Sequence, residues 1–91
     1  MQTCVVTITN RLGLHARAAA RLVRLAAGYQ SAISLARRDG SGARADAKSI
    51  LNVLMLAAAR HTELEIVIEG ADEQEALAAV CELIANKFGE E

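Results

Sequence analysis

Glu63-Leu64-Glu65-Ile66-Val67-Ile68-Glu69-Gly70 is the stretch on which the fold turns. Leu64, Ile66 and Ile68 alternate with Glu63, Glu65 and Glu69. That is the period of a strand with one apolar and one wet face. Gly70 ends it, and Asp72-Glu73-Gln74-Glu75 then reads as a capping box, with Asp72 as cap and Glu75 reaching back. The helix so opened is expected to bury Leu77, Val80, Cys81, Ile84 and Phe88.

Upstream, a first strand is expected over 2–9. Cys4, Val6 and Ile8 face one way, Thr3, Thr7 and Thr9 the other, with Val5 as the exception. After the break Asn10-Arg11-Leu12-Gly13-Leu14, a helix over 16–27 carries the stripe Ala19, Leu22, Val23, Ala26 and stops at Gly28. A strand over 31–37 bears Ile33 and Leu35. Asp39-Gly40-Ser41-Gly42 signals a hairpin, and a strand weak in propensity returns over 43–47. A second helix starts near Ser49 and carries Ile50, Leu51, Val53 and Leu54; its extent through Ala57-Ala58-Ala59 is open. The order β-α-β-β-α-β-α, with half-polar strands, implies an α+β fold: a two-layer open-faced sandwich, its four-stranded antiparallel sheet covered by helices on one face.

A chain of 91 residues without proline, repeat or linker suits one domain over 1–91. Only 2% of its residues are aromatic against 53% hydrophobic, so Ala, Val, Leu and Ile must build the core. A ring-lined pocket for a small-molecule enzyme is disfavoured. The net charge of −1 argues against a nucleic-acid binder and for protein partners. Cys4 and Cys81 have no metal-ligand spacing and read as buried free thiols. His61 lies in a polar turn, and no metal or cofactor is expected. The start Met1-Gln2-Thr3-Cys4-Val5-Val6 lacks a signal-segment pattern, and the apolar run 53–59 is too short for a bilayer. A cytoplasmic monomer is the expectation.

The chemistry gathers at Gly13-Leu14-His15-Ala16-Arg17. A turn leaves a strand and opens a helix with a histidine at the junction. Helix-start N–H groups lack internal partners and favour negative charge. A phosphoryl group on His15 would sit in that field, and the same positive helix end favours a neutral, nucleophilic ring. The guanidinium of Arg17 can give phosphate two parallel hydrogen bonds. Each charge-assisted bond contributes about 1.5–3 kcal/mol and the helix end about 0.3–1 kcal/mol. That holds a phosphate without trapping it. Arg17, Arg21 and Arg24 recur at helical spacing as a basic stripe that could steer an acidic partner. The blander readings are a surface histidine serving as a cap and a solvated helix face.

The segment Ile8-Thr9-Asn10-Arg11-Leu12-Gly13-Leu14-His15-Ala16-Arg17-Ala18-Ala19 resembles the active-site segment of the HPr family, the phosphocarriers of the bacterial phosphotransferase system. Ala47-Lys48-Ser49-Ile50-Leu51-Asn52-Val53-Leu54 resembles the family's second segment. The resemblance covers essentially the whole chain. It implies that His15 accepts phosphate on Nδ1 from enzyme I and passes it to an enzyme IIA protein or domain, with Arg17 stabilising the group. It also implies that Ser49 is the serine that an HPr kinase/phosphorylase modifies in some bacteria. Lys48, Ile50, Leu51 and Leu54 then fall on the partner surface, beside Arg21 and Arg24. Many members have proline after the arginine where this chain has Ala18; alanine is a strong helix former, so the helix start is expected to survive.

The expected function is therefore a carrier rather than an enzyme, in sugar uptake or nitrogen-linked regulation. The alternative is a regulatory binding module switched at Ser49, which on its own residues also reads as a helix N-cap. A third class, a small acyl-phosphate hydrolase on a similar scaffold, lacks a second set of convergent groups and a glycine-rich cradle.

Overall fold

The computed structural model describes residues 1–90. Its elements are β1 (Gln2–Thr7), α1 (Ala16–Ala27), β2 (Ala32–Arg37), β3 (Arg44–Asp46), α2 (Ile50–Met55), β4 (Glu63–Glu69) and α3 (Glu73–Ala85), followed by a 3-10 turn at Lys87–Gly89. The sheet is antiparallel throughout, in the order β1-β4-β2-β3. The acid-alternating strand β4 is thus central, which explains why its period is the cleanest.

Register aligns the inward side chains in rows. Ile66 sits opposite Cys4 on one side and Leu35 on the other, and Leu35 opposes Ala45. Leu64, Ile66 and Ile68 are fully buried, as are Ile8, Leu35, Leu22, Val53, Val80 and, within a few percent, Ile33 and Ile84. Each such side chain contributes about 1.5–3 kcal/mol on burial. The helices cover this face, and small residues let them come close: Ala18, Ala19, Ala26 and Ala76 have no exposure.

Several ends differ from the sequence reading. The first strand ends at Thr7, two residues early, although Ile8 stays paired through its carbonyl to the His61 N–H. Gly28 closes α1 with φ −78°, an ordinary right-handed conformation, so its lack of a side chain is not what stops the helix. Helix α2 stops at Met55; Ala57 turns left-handed at φ 52°, and the Arg37 guanidinium donates to the Leu56 and Ala57 carbonyls, both at 3.0 Å. A cation there complements the negative helix end.

The expected capping box at α3 is absent. Asp72 makes no cap bond; its carboxylate accepts from the backbone N–H groups of Gln30 and Ser31 at 2.9 and 3.0 Å and from the Ser31 hydroxyl. Glu73, not Glu75, reaches back, to the N–H of Gly70 at 3.1 Å. Gly70 itself is packed so tightly that an added Cβ would lie 2.6 Å from Ser31 Cα. The thiols are half-buried rather than buried, with Cys4 and Cys81 sulfurs 3.4 Å apart. Burial, then the neighbouring Cys4, pushes the Cys81 thiol up to about 11. Phe88 is fully buried, but beyond the end of α3: Lys87 and Phe88 both take left-handed φ near 55°, which swings the ring back under the core. Among the described residues, no helix is long and apolar enough to cross a membrane.

Candidate functional site

The strand-to-helix junction is rigidly built. Gly13 has φ +65° and packs on the backbone after α2, where a Cβ would fall 2.6 Å from the Ala58 carbonyl oxygen. Only glycine tolerates both conditions. Leu14 N–H donates to that same carbonyl at 2.9 Å, so the loop carrying His15 is fastened to the end of α2. Asn10, fully buried, donates from Nδ2 to the Gly13 carbonyl at 2.7 Å and closes the turn.

His15 is the N-cap of α1. Its backbone is extended, and its Nδ1 accepts from the Arg17 N–H at 3.4 Å. The first turn of α1 holds no acidic residue. Nδ1 therefore faces a helix start whose positive end is uncompensated by any neighbouring carboxylate of its own turn. Nε2 faces the other way, 2.6 Å from Oε2 of Glu90, and the ring keeps about a quarter of its surface in solvent, at 26%. Oε1 of Glu90 accepts from Asn10 Nδ2 at 3.1 Å. Partial burial raises the Glu90 carboxyl, but hydrogen bonds from Asn10 and His15, with the charges of His15 and Arg21, outweigh it and hold the group below its ordinary value.

A 310 Å³ depression beside the ring is lined by Arg11, Leu12, Arg17, Arg21, Gly89 and Glu90. Arg17 is exposed, and its guanidinium makes no hydrogen bond or ion pair to any described residue. Arg21 is half-buried, with its guanidinium on the Phe88 carbonyl. The basic stripe is accordingly divided: Arg17 and Arg24 face solvent, whereas Arg21 anchors the chain end. Lys48 is similarly engaged, donating from Nζ to the Tyr29 carbonyl at 2.8 Å.

Ser49 caps α2, its hydroxyl accepting from the Asn52 N–H at 3.3 Å. Ile50, Leu51 and Leu54 are 44%, 64% and 37% exposed, joined by Met55 at 73% and by Leu12 on the His15 loop at 61%. Sequence reasoning missed Met55, Leu12, Asn10 and Glu90. Glu90 is 75 residues from His15, and no local pattern reports such a pairing. Among the described residues, no three His, Cys, Asp or Glu side chains converge as a metal site requires.

Comparison with known proteins places the chain among its relatives. A family model described as "PTS HPr component phosphorylation site" matches residues 2–86. The chain belongs to the HPr family. It is 49% identical to phosphocarrier protein HPr of Cupriavidus necator over 92% of this chain and 91% of that one. It is 41% identical to phosphocarrier protein NPr of Escherichia coli K12, over 94% and 93%. Among solved structures, HPr-C-His from Thermoanaerobacter tengcongensis superposes with a TM-score of 0.91 at 36% identity, covering 100% of this chain and 99% of that one. Membership in the HPr family supports a phosphocarrier role in the phosphotransferase system, a non-catalytic part played against that system's enzymes.

Proposed function

We propose that this HPr-family chain relays a phosphoryl group from phosphorylated enzyme I, through Nδ1 of His15, to an enzyme IIA protein or domain. The observation that carries the reading is the placement of Nδ1 at the start of α1, towards the Arg17 N–H and beside an unengaged Arg17 guanidinium. A phosphoryl group on Nδ1 would meet free helix N–H groups and a planar donor fork. Nothing encloses it, so a second protein can reach the phosphorus in line and take the group away.

The exposed apolar residues Ile50, Leu51 and Leu54 support a docking surface shared by donor and acceptor, with Arg24 adding charge at its margin. Lys48 and Arg21 act there through the backbone they hold. Ser49, at the edge of the same surface, is the proposed regulatory phosphorylation site for an HPr kinase/phosphorylase.

The direct test is incubation with enzyme I and phosphoenolpyruvate, read by intact mass and peptide mapping. One acid-labile, base-stable phosphate on His15 is expected. A phosphate elsewhere, or none, defeats the reading.

A further inference from the structure

We propose that Cys4 and Cys81 form a redox-modification site: a low-molecular-weight disulfide of the glutathione type converts the pair into one intramolecular disulfide that ties β1 to α3. This does not depend on the phosphoryl-transfer reading, since neither cysteine lines the depression beside His15.

The chain has two cysteines, 77 positions apart, and folding brings them together. Cys4 lies on β1 opposite Ile66, and so on the face of the sheet that the helices cover. Cys81 lies on α3, which packs on β1, with its side chain against the core. The sulfurs stand 3.4 Å apart: the Cys81 S–H donates to the Cys4 sulfur, and the Cys4 S–H to the Val5 carbonyl at 3.7 Å. Closing the remaining gap of about 1.4 Å takes a small rotation of each side chain. Both residues are half-buried, so a small reagent reaches them. A cysteine packed singly is a small apolar residue; two packed sulfur to sulfur are a dithiol.

Burial, then the hydrogen bond to Cys4, pushes the Cys81 thiol up to about 11. Cys81 is thus a poor first nucleophile, and Cys4 attacks first. The Cys4 thiolate attacks one sulfur of the reagent. The reagent's S–S bond breaks, its other half leaves as thiolate with the electron pair, and a mixed disulfide remains on Cys4. Cys81, already in contact, then attacks the Cys4 sulfur. The mixed disulfide breaks, the second reagent thiolate leaves, and the two released thiolates take up the two cysteine protons. Two protein thiols are oxidised, and one reagent disulfide is reduced to two thiols. The bond matters most to β1, an edge strand with β4 as its one neighbour in the sheet. It adds a tie on the helix side and closes a loop spanning most of the chain, where a cross-link restricts the unfolded state strongly.

The test equilibrates the full chain with glutathione buffers of graded composition, folded and in urea, then quenches with acid and reads intact mass and non-reduced peptide maps. Folded wild type should lose two hydrogens and yield a Cys4–Cys81 cross-linked peptide, reversed by dithiothreitol. Its effective thiol concentration should exceed that of the unfolded chain by at least about tenfold, because the native contact pre-assembles the pair. The oxidised form should then melt at least about five degrees higher than the reduced form. An equal or lower effective concentration in the folded chain, or an unchanged melting temperature, overturns the proposal, since native packing would then oppose the bond. So do two persistent glutathione adducts on folded wild type, or a disulfide between chains. Cys81→Ser should stop at a single adduct on Cys4; no adduct there overturns Cys4 as the point of entry.

Discussion

The first turn of α1 holds no acidic residue and is capped by an imidazole, whereas that of α3 holds Glu73 and Glu75 and begins at Asp72. Both helices are long, of 12 and 13 residues, and both begin beside a strand end. At α3 the favourable negative charge is built into the chain, and Asp72 is further committed to Gln30 and Ser31 across the sheet. At α1 the equivalent charge is withheld, and the side chain nearest the helix N–H groups is one that can acquire it. The same dipole physics therefore yields a joint in one place and, in the function proposed above, a seat for a transferable anion in the other. A helix start signals a site only when its own first turn leaves it unfilled.

The strongest way to break this contrast is His15→Ala. Phosphorylation by enzyme I should vanish in an intact-mass assay. The melting temperature should move by no more than a few degrees, because the cap bond lost is long, at 3.4 Å, and the Glu90 carboxylate released from Nε2 lies at a partly solvated edge and keeps its Asn10 partner. A variant that still takes phosphate at the wild-type rate would end the comparison. Arg17→Ala should come next, slowing acceptance and donation by about tenfold or more in stopped assays, with Arg17→Lys a partial substitute because it lacks the planar fork.

Helix α2 offers an intermediate case, with a serine cap and no acid in its first turn. Ser49→Asp should preserve the fold and lower enzyme I-dependent transfer to His15 by a few-fold, with true phosphoserine acting more strongly. The loss should shrink at high salt if charge repulsion is the cause. The smallest effect on transfer belongs to Asp72→Ala, which should phosphorylate normally. It should melt several degrees earlier by differential scanning calorimetry, because it frees two N–H groups and the Ser31 hydroxyl. The Asp72 carboxyl is held below its ordinary value, by the Ser31 hydroxyl first and the Gln30 N–H next. Its contribution is therefore present above the usual carboxylate range and fades as pH falls through the folded value, a dependence that Asp72→Ala should flatten.

Features set by local periodicity were legible in the sequence. The span of α1, 16–27, follows from its stripe of small apolar residues, and β4 from its alternation with glutamates. Ends and engagements were less so, because they are decided by residues far away in the chain. The capping-box pattern at Asp72 is locally sound, yet the carboxylate finds three donors 41 or 42 residues distant and abandons its own helix. Arg21 and Lys48 look like free surface cations until the folded chain brings backbone carbonyls of Phe88 and Tyr29 to them. The placement of His15 at the start of α1, with Arg17 beside it, was readable because both lie in one turn. Glu90 was not, although the chain's single phenylalanine, followed at once by a glycine, marked 88–89 as a point where the backbone folds back.

Met1 and Glu90 also stand at opposite ends of the sheet. The Met1 amine lies 2.9 Å from Glu73, where Gln2 pairs with Ile68, whereas Glu90 rests on His15, beyond the end where Thr7 pairs with Glu63. That geometry governs how the protein can be handled. A fluorophore, affinity handle or surface tether joined ahead of Met1 leaves the imidazole edge untouched. One carried at Glu90 would stand against the imidazole edge, so tests of the proposed transfer are better read with labels placed near Met1.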